Sequence, residues 1–111
     1  MKITRYRGNN RPFVFTITNQ AGSPVDLTGY TFLFTVNKIE NPGDATTQVM
    51  QFTGTLSQHP TDGVVTFSPT SLNMNLQKDI YFYDIQGTKS GVVTTFVKDQ
   101  LEILQTITQA S

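Results

Sequence analysis

This sequence has no cysteine and no tryptophan, and only 14% of its 111 residues are charged. Without cysteine, disulfides and thiolate metal sites are excluded, and the redox compartment cannot be read from the chain. Without tryptophan, eight Phe and four Tyr must supply the large rings of any core. The charge content lies well below the ~25% typical of soluble domains. Eight basic residues balance eight acidic ones, so the formal net charge is zero. Solubility falls to Ser, Asn, Gln and eighteen Thr. Such a surface offers little net repulsion between copies. Threonine also suits strands, so composition alone leaves ordered self-association and a plain Thr-rich β protein side by side.

No apolar run approaches the ~18–20 residues that span a membrane, so no membrane partner is expected. The start, Met1 to Arg7, lacks the apolar core of a secretory signal. The expectation is a chain made and used inside a cell, or released with a particle assembled there. A length of 111 residues suits one domain over 1–111 with a core of its own.

Alternation of apolar and polar residues dominates the chain. Phe13, Phe15 and Ile17 alternate with Val14, Thr16 and Thr18, and Tyr30, Phe32, Phe34 and Val36 alternate with Thr31, Leu33, Thr35 and Asn37. Period two buries one face of an extended segment. Between these runs, Gly22, Pro24, Asp26, Thr28 and Gly29 supply turn chemistry. Glycine and proline punctuate the rest, predicting strands near 2–7, 12–19, 30–38, 47–56, 63–68, 79–87, 91–98 and 100–108. A hairpin loop is expected over Gln86–Gly91 and a polar loop over 38–47. Pro69 to Leu76 breaks the pattern: one short helical turn near 70–76 would bury Leu72 and Leu76 across the end of the core. The reading is an all-β, immunoglobulin-like antiparallel sandwich of 7–8 strands.

Catalytic and metal-binding constellations are scarce. His59 is the only histidine and sits beside Pro60 in a turn; with no second His and no Cys, a zinc, copper or non-haem iron set cannot be written. No Gly-x-Ser-x-Gly elbow or phosphate-binding glycine loop occurs. The carboxylates Asp26, Glu40, Asp44, Asp62, Asp79, Asp84, Asp99 and Glu102 are scattered and match no calcium-loop register, although a calcium site built from separate loops is not excluded by spacing. The expectation is a non-enzyme without cofactors or metal.

Two features point instead to contacts. Lys2, Arg5, Arg7 and Arg11 precede the first acid, Asp26, with Tyr6 among them. A nucleic-acid contact is one reading of this arm. A basic terminal strand that docks on an acidic neighbour or faces water is the other, and the neutral chain weighs against nucleic acid. Several strands are also apolar on both sides. If Tyr81, Tyr83 and Ile85 fill the core, then Ile80 and Phe82 face outward, joined by Leu33 and Leu104. An exposed apolar face marks a contact surface. Alternatively, the 38–47 loop or the amino-terminal arm covers it.

The order of these motifs resembles the amino-terminal domain of phage baseplate upper proteins. The resemblance rests on Arg7-Gly8, Phe13-x-Phe15-x-Ile17, the run Gly22 to Gly29, Thr61-Asp62-Gly63-Val64-Val65-Thr66-Phe67, Tyr81-x-Tyr83-Asp84-Ile85, and Thr94 through Thr108. It covers nearly the whole chain. Asn9 and Asn10 replace the family's acidic residue and Thr, and Lys78 and Asp79 stand where a glycine is common. The resemblance implies a virion structural protein of the tail, baseplate or head–tail region. It would be assembled in the host cytoplasm and would contact other virion proteins or copies of itself in a ring. Here the domain is expected to stand alone, without a coiled-coil or fibre segment. A capsid decoration protein and a carbohydrate- or receptor-binding module are the alternatives. The candidate interface comprises Leu33, Ile80, Phe82 and Leu104, with Lys2, Arg5, Arg7 and Arg11.

Overall fold

The structure, a computed structural model, describes residues 2–40, 42–43, 46–70 and 73–105. Its strands are β1 (Ile3–Tyr6), β2 (Phe13–Thr16), β3 (Thr31–Asn37), β4 (Gln48–Thr53), β5 (Thr55–Leu56), β6 (Val64–Phe67), β7 (Asp79–Lys89) and β8 (Val92–Leu104). They form two sheets, ordered β1-β8-β7-β3-β4 and β2-β6-β5. The sandwich read from the alternation is therefore present, and its strand order is immunoglobulin-like. Antiparallel pairing has one exception: β1 runs parallel to β8, with Ile3 opposite Leu101 and Tyr6 opposite Leu104.

The two inner faces meet in one aromatic core. Alternation places Phe13 and Phe15 of β2, Phe32, Phe34 and Val36 of β3, Tyr81, Tyr83 and Ile85 of β7, and Leu101 and Ile103 of β8 inside. Phe34 is fully buried at the centre, its ring 5.0 Å from Phe13, 5.1 Å from both Phe52 and Tyr83, and 5.3 Å from Phe67. Offset ring pairs of this kind add about 0.5–1.5 kcal/mol each beyond the burial of area. In antibody domains a disulfide links the strands equivalent to β2 and β7, and a Trp of the strand equivalent to β3 packs on it. Here Phe15 and Tyr83 face each other at 6.1 Å, and Phe34 stacks on Tyr83. Two residues earlier, the Tyr81 hydroxyl donates to the Gln77 carbonyl at 2.9 Å, the backward bond of a tyrosine corner.

Several expected boundaries move, each for a local reason. The strand expected over 47–56 breaks at Gly54, where the chain leaves the larger sheet for the smaller. A Cβ at Gly54 would sit 2.7 Å from Phe67 Cε1 and Val65 Cγ2, so only glycine passes that close to the core. The strands expected at 91–98 and 100–108 are one continuous β8 as far as Leu104, and residues 106–108 lie outside the described residues. An extra residue, Phe96, interrupts the β7–β8 register between Thr95 and Val97 and packs on Tyr30 and Phe32. The expected loop over Gln86–Gly91 shrinks to a two-residue turn, because β7 continues through a buried Gly87 to Lys89. Ser90 and Gly91 both have positive φ, 52° and 79°, as a tight type I′ hairpin turn demands.

Part of the helical turn expected near 70–76, residues 71–72, lies outside the described residues; across it the Met74 N–H donates to Thr70 O at 3.2 Å. Thr70 and Asn73 cap each other, the Thr70 N–H donating to Asn73 Oδ1 and the Asn73 N–H to Thr70 Oγ1. Leu72 lies outside the described residues, and Leu76 is only half-buried; Met74 fills the end of the core instead. Methionine's flexible stem suits such an irregular gap. Among the described residues the regular helical turn is a 3₁₀ turn at Pro60–Asp62, and none forms a helix long and apolar enough to cross a membrane.

Gly63 ends that 3₁₀ turn with φ at 73°, and a Cβ there would meet the Ile17 carbonyl oxygen at 2.6 Å. Gly22 has a similar φ, 82°, but open space around it. Alanine at either position carries the left-handed strain of about 1–2 kcal/mol. Gly63→Ala adds a backbone clash, so urea denaturation should show it less stable than Gly22→Ala by a further ~1–3 kcal/mol.

Candidate functional site

The outer face of the larger sheet follows from the register. Tyr6 lies opposite Leu104, Thr4 and Ile80 flank Glu102, and Phe82 lies between Gln100 and Asn37. Ile80 and Leu104 sit on adjacent strands as diagonal neighbours, at about 7–8 Å by strand geometry. Tyr6, Leu104, Ile80 and Phe82 thus form one oblique apolar strip. Tyr6 is 52% and Ile80 42% exposed, whereas Leu104 and Phe82 are half-buried. Leu33 does not join the strip. It pairs with Gln86 and Thr53, four residues along β7 from Phe82, or about 13 Å. The polar row Thr35, Asp84 and Lys98 lies between them.

The 38–47 connection covers part of this face. Asn37 is buried at its base, where Oδ1 accepts from the Ile39 N–H at 3.0 Å and the Thr47 hydroxyl at 2.6 Å. Ile39, Glu40 and Pro42 then wall a shallow hollow of about 70 Å³ over Phe82, Asp84 and Lys98. Loop cover therefore applies at Phe82 and leaves Ile80 and Tyr6 open. The amino-terminal arm does not lie across the face, because β1 is a strand of the sheet itself.

The four cations of the arm are dispersed. Lys2 Nζ lies 3.2 Å from Glu102 Oε1 on the outer face, an exposed ion pair worth about 0–1 kcal/mol. Arg5 shares the inward parity of Ile3 and places its guanidinium carbon 4.6 Å from the centre of the Phe13 ring. Arg7 Nε donates to Asn75 Oδ1 at 2.8 Å and its N–H to the Leu104 carbonyl at 2.8 Å, tying β1 to the turn that carries Met74. Arg11 is exposed in the loop before β2. Sequence reasoning missed the inward position of Arg5, although the parity it shares with Ile3 was the available signal.

Among the described residues, no group of three or more His, Asp and Glu side chains is placed to hold a metal ion. His59 is exposed, its N–H donating to Ser57 Oγ. Asp26 Oδ1 accepts from the hydroxyl and the N–H of Thr28, which hold its carboxyl below the usual range. Asp79 likewise accepts from the Ile80 N–H. Tyr83 is pushed up to about 12, mainly by burial and then by Asp99. Tyr30 is half-buried against Phe32 and Phe96, with Lys89 Nζ 5.5 Å from the centre of its ring. The sequence matches no protein-family model, and no curated protein is similar enough to it to count as a relative.

Asp84 is the carboxylate at the floor of the hollow whose titration burial alters. Burial raises its carboxyl above the usual value, and the cross-strand Lys98 opposes this only in part. A raised folded-state value means that the folded chain holds the proton more tightly than the unfolded chain does. The resulting stability is present at acid pH and lost as pH rises through the folded value. Asp84→Asn should therefore raise the urea midpoint at neutral pH. The gain should vanish below the carboxylate range.

Proposed function

We propose that this chain is a non-enzymatic structural subunit of a bacteriophage particle, of the tail, baseplate or head–tail region, that works by protein–protein contact. The observation that carries the reading is the apolar strip Tyr6, Leu104, Ile80 and Phe82 on a sheet whose other face is already filled by the core. Apolar side chains left on that side gain their burial from a neighbour. The low charge and zero net charge remove the repulsion that would keep copies apart. The assignment to a phage particle rests on the order and spacing of the motifs that resemble baseplate upper proteins. The mechanism is geometric: a rigid sandwich offers the same strip in every copy, and a ring of copies multiplies a modest joint into a durable one.

Light scattering coupled to size exclusion tests the joint. The native chain should run as an oligomer and Ile80→Asp as a folded monomer with unchanged circular dichroism. Leu104→Asp, on the same strip, should behave likewise. A native chain that stays monomeric at every attainable concentration contradicts self-assembly through this face. Immunoblotting of gradient-purified particles tests the placement: the chain should co-sediment with tails or whole virions.

A further inference from the structure

The side of the sandwich where β1 and β2 face each other is open. Among the described residues, β1 pairs only with β8 and β2 only with β6, so each turns one row of backbone groups away from its sheet. Between them runs a groove of about 230 Å³, with Ile3, Thr4 and Arg5 on one wall and Phe13, Val14 and Phe15 on the other. Val14, on the rim, is 61% exposed. Free strand edges are templates for pairing with another extended chain.

Arg5 makes this edge selective. Its guanidinium lies over the Phe13 ring, and among the described residues Nη1 reaches only the Thr4 carbonyl, at 3.4 Å. Its Nε–H is shut off from solvent and meets no acceptor among the described residues. The charge that acts on Arg5 is the like charge of Arg11, which together with the larger effect of burial lowers its pKa. With the Nε–H closed off, an incoming acceptor would meet the Nη groups, and a carboxylate is the acceptor that fits a guanidinium best. Arg5 and Arg11, with Lys2 at the end of the groove, give this edge a positive charge that an acidic segment complements and a second copy of the same edge does not.

We propose that the groove docks an extended, acidic segment of a different protein chain. The segment's backbone pairs with the free edge of β2, an apolar side chain covers Val14, and its carboxylate takes the Arg5 guanidinium. This edge belongs to the smaller sheet and its open side, so the proposal does not depend on the strip around Ile80.

The test is a titration of ¹⁵N-labelled protein with an acetylated, amidated peptide of sequence TVEVT, beside the same peptide with Gln for Glu. The expected result is amide shifts confined to Ile3–Arg5 and Phe13–Thr16. Binding should be about tenfold weaker for the Gln peptide and for Arg5→Gln, the loss expected for a hydrogen bond to a charged group. Arg5→Lys, which keeps the charge but not the fork, should fall between, and Ile80→Asp should bind like the native chain. Absence of shifts, equal binding of both peptides, or shifts centred on Ile80 and Leu104 would overturn the proposal. So would a dimer formed through β2.

Discussion

The stack of Phe34 on Tyr83 is the contact on which the rest of this molecule depends. The two rings are nearly parallel, 4° apart, and join β3 to β7 in the larger sheet. Phe13, Phe15 and Phe67 reach Phe34 from the smaller sheet. A chain without cysteine cannot cross-link its sheets covalently, and this cluster does the same work by packing. A disulfide restrains mainly the unfolded chain, whereas stacked rings act only when both sheets are in place. Cohesion between the sheets is therefore a property of the native state alone.

This core determines what the surface is free to do. Inward residues from both sheets pack into one buried core among the described residues. Exposed apolar side chains include Tyr6 and Ile80 on the outer face of the larger sheet and Val14 beside the groove between β1 and β2. The two differ in chemistry. The strip around Ile80 offers area without charge, and the groove offers unpaired backbone beside a guanidinium. The two proposed surfaces would let one small domain hold two neighbours at once, as the proposed assembly role needs.

Period-two alternation is local, so the inward faces of β2, β3, β7 and β8 were legible down to individual rings: Phe34, Tyr83 and Ile85 stand where their parity puts them. Pairing between distant segments was not legible. Nothing near Ile3 announces that it will run parallel to Leu101, and Gly54 looks like any turn glycine until Phe67 and Val65 are seen against it. Phe96 had the parity of a simple strand, yet an extra residue shifts the register and turns its ring onto Phe32. The candidate site was legible in the same partial way. Ile80, Phe82 and Leu104 share the outer face as their parity requires. The separation of Leu33 depends on strand register, and the burial of Phe82 depends on the path of the 38–47 connection. Arg5 looked like one cation of a basic arm because its partner, Phe13, belongs to another sheet.

The most direct test of this account is the unfolding of Phe34→Ala in urea, followed by both tyrosine fluorescence and far-ultraviolet circular dichroism. If Phe34 ties the sheets together, the variant should lose about 3–5 kcal/mol, toward the upper end for a buried Phe, with both probes moving in one transition. A loss below ~1 kcal/mol, as at an exposed site, or separate transitions for the two probes would contradict it.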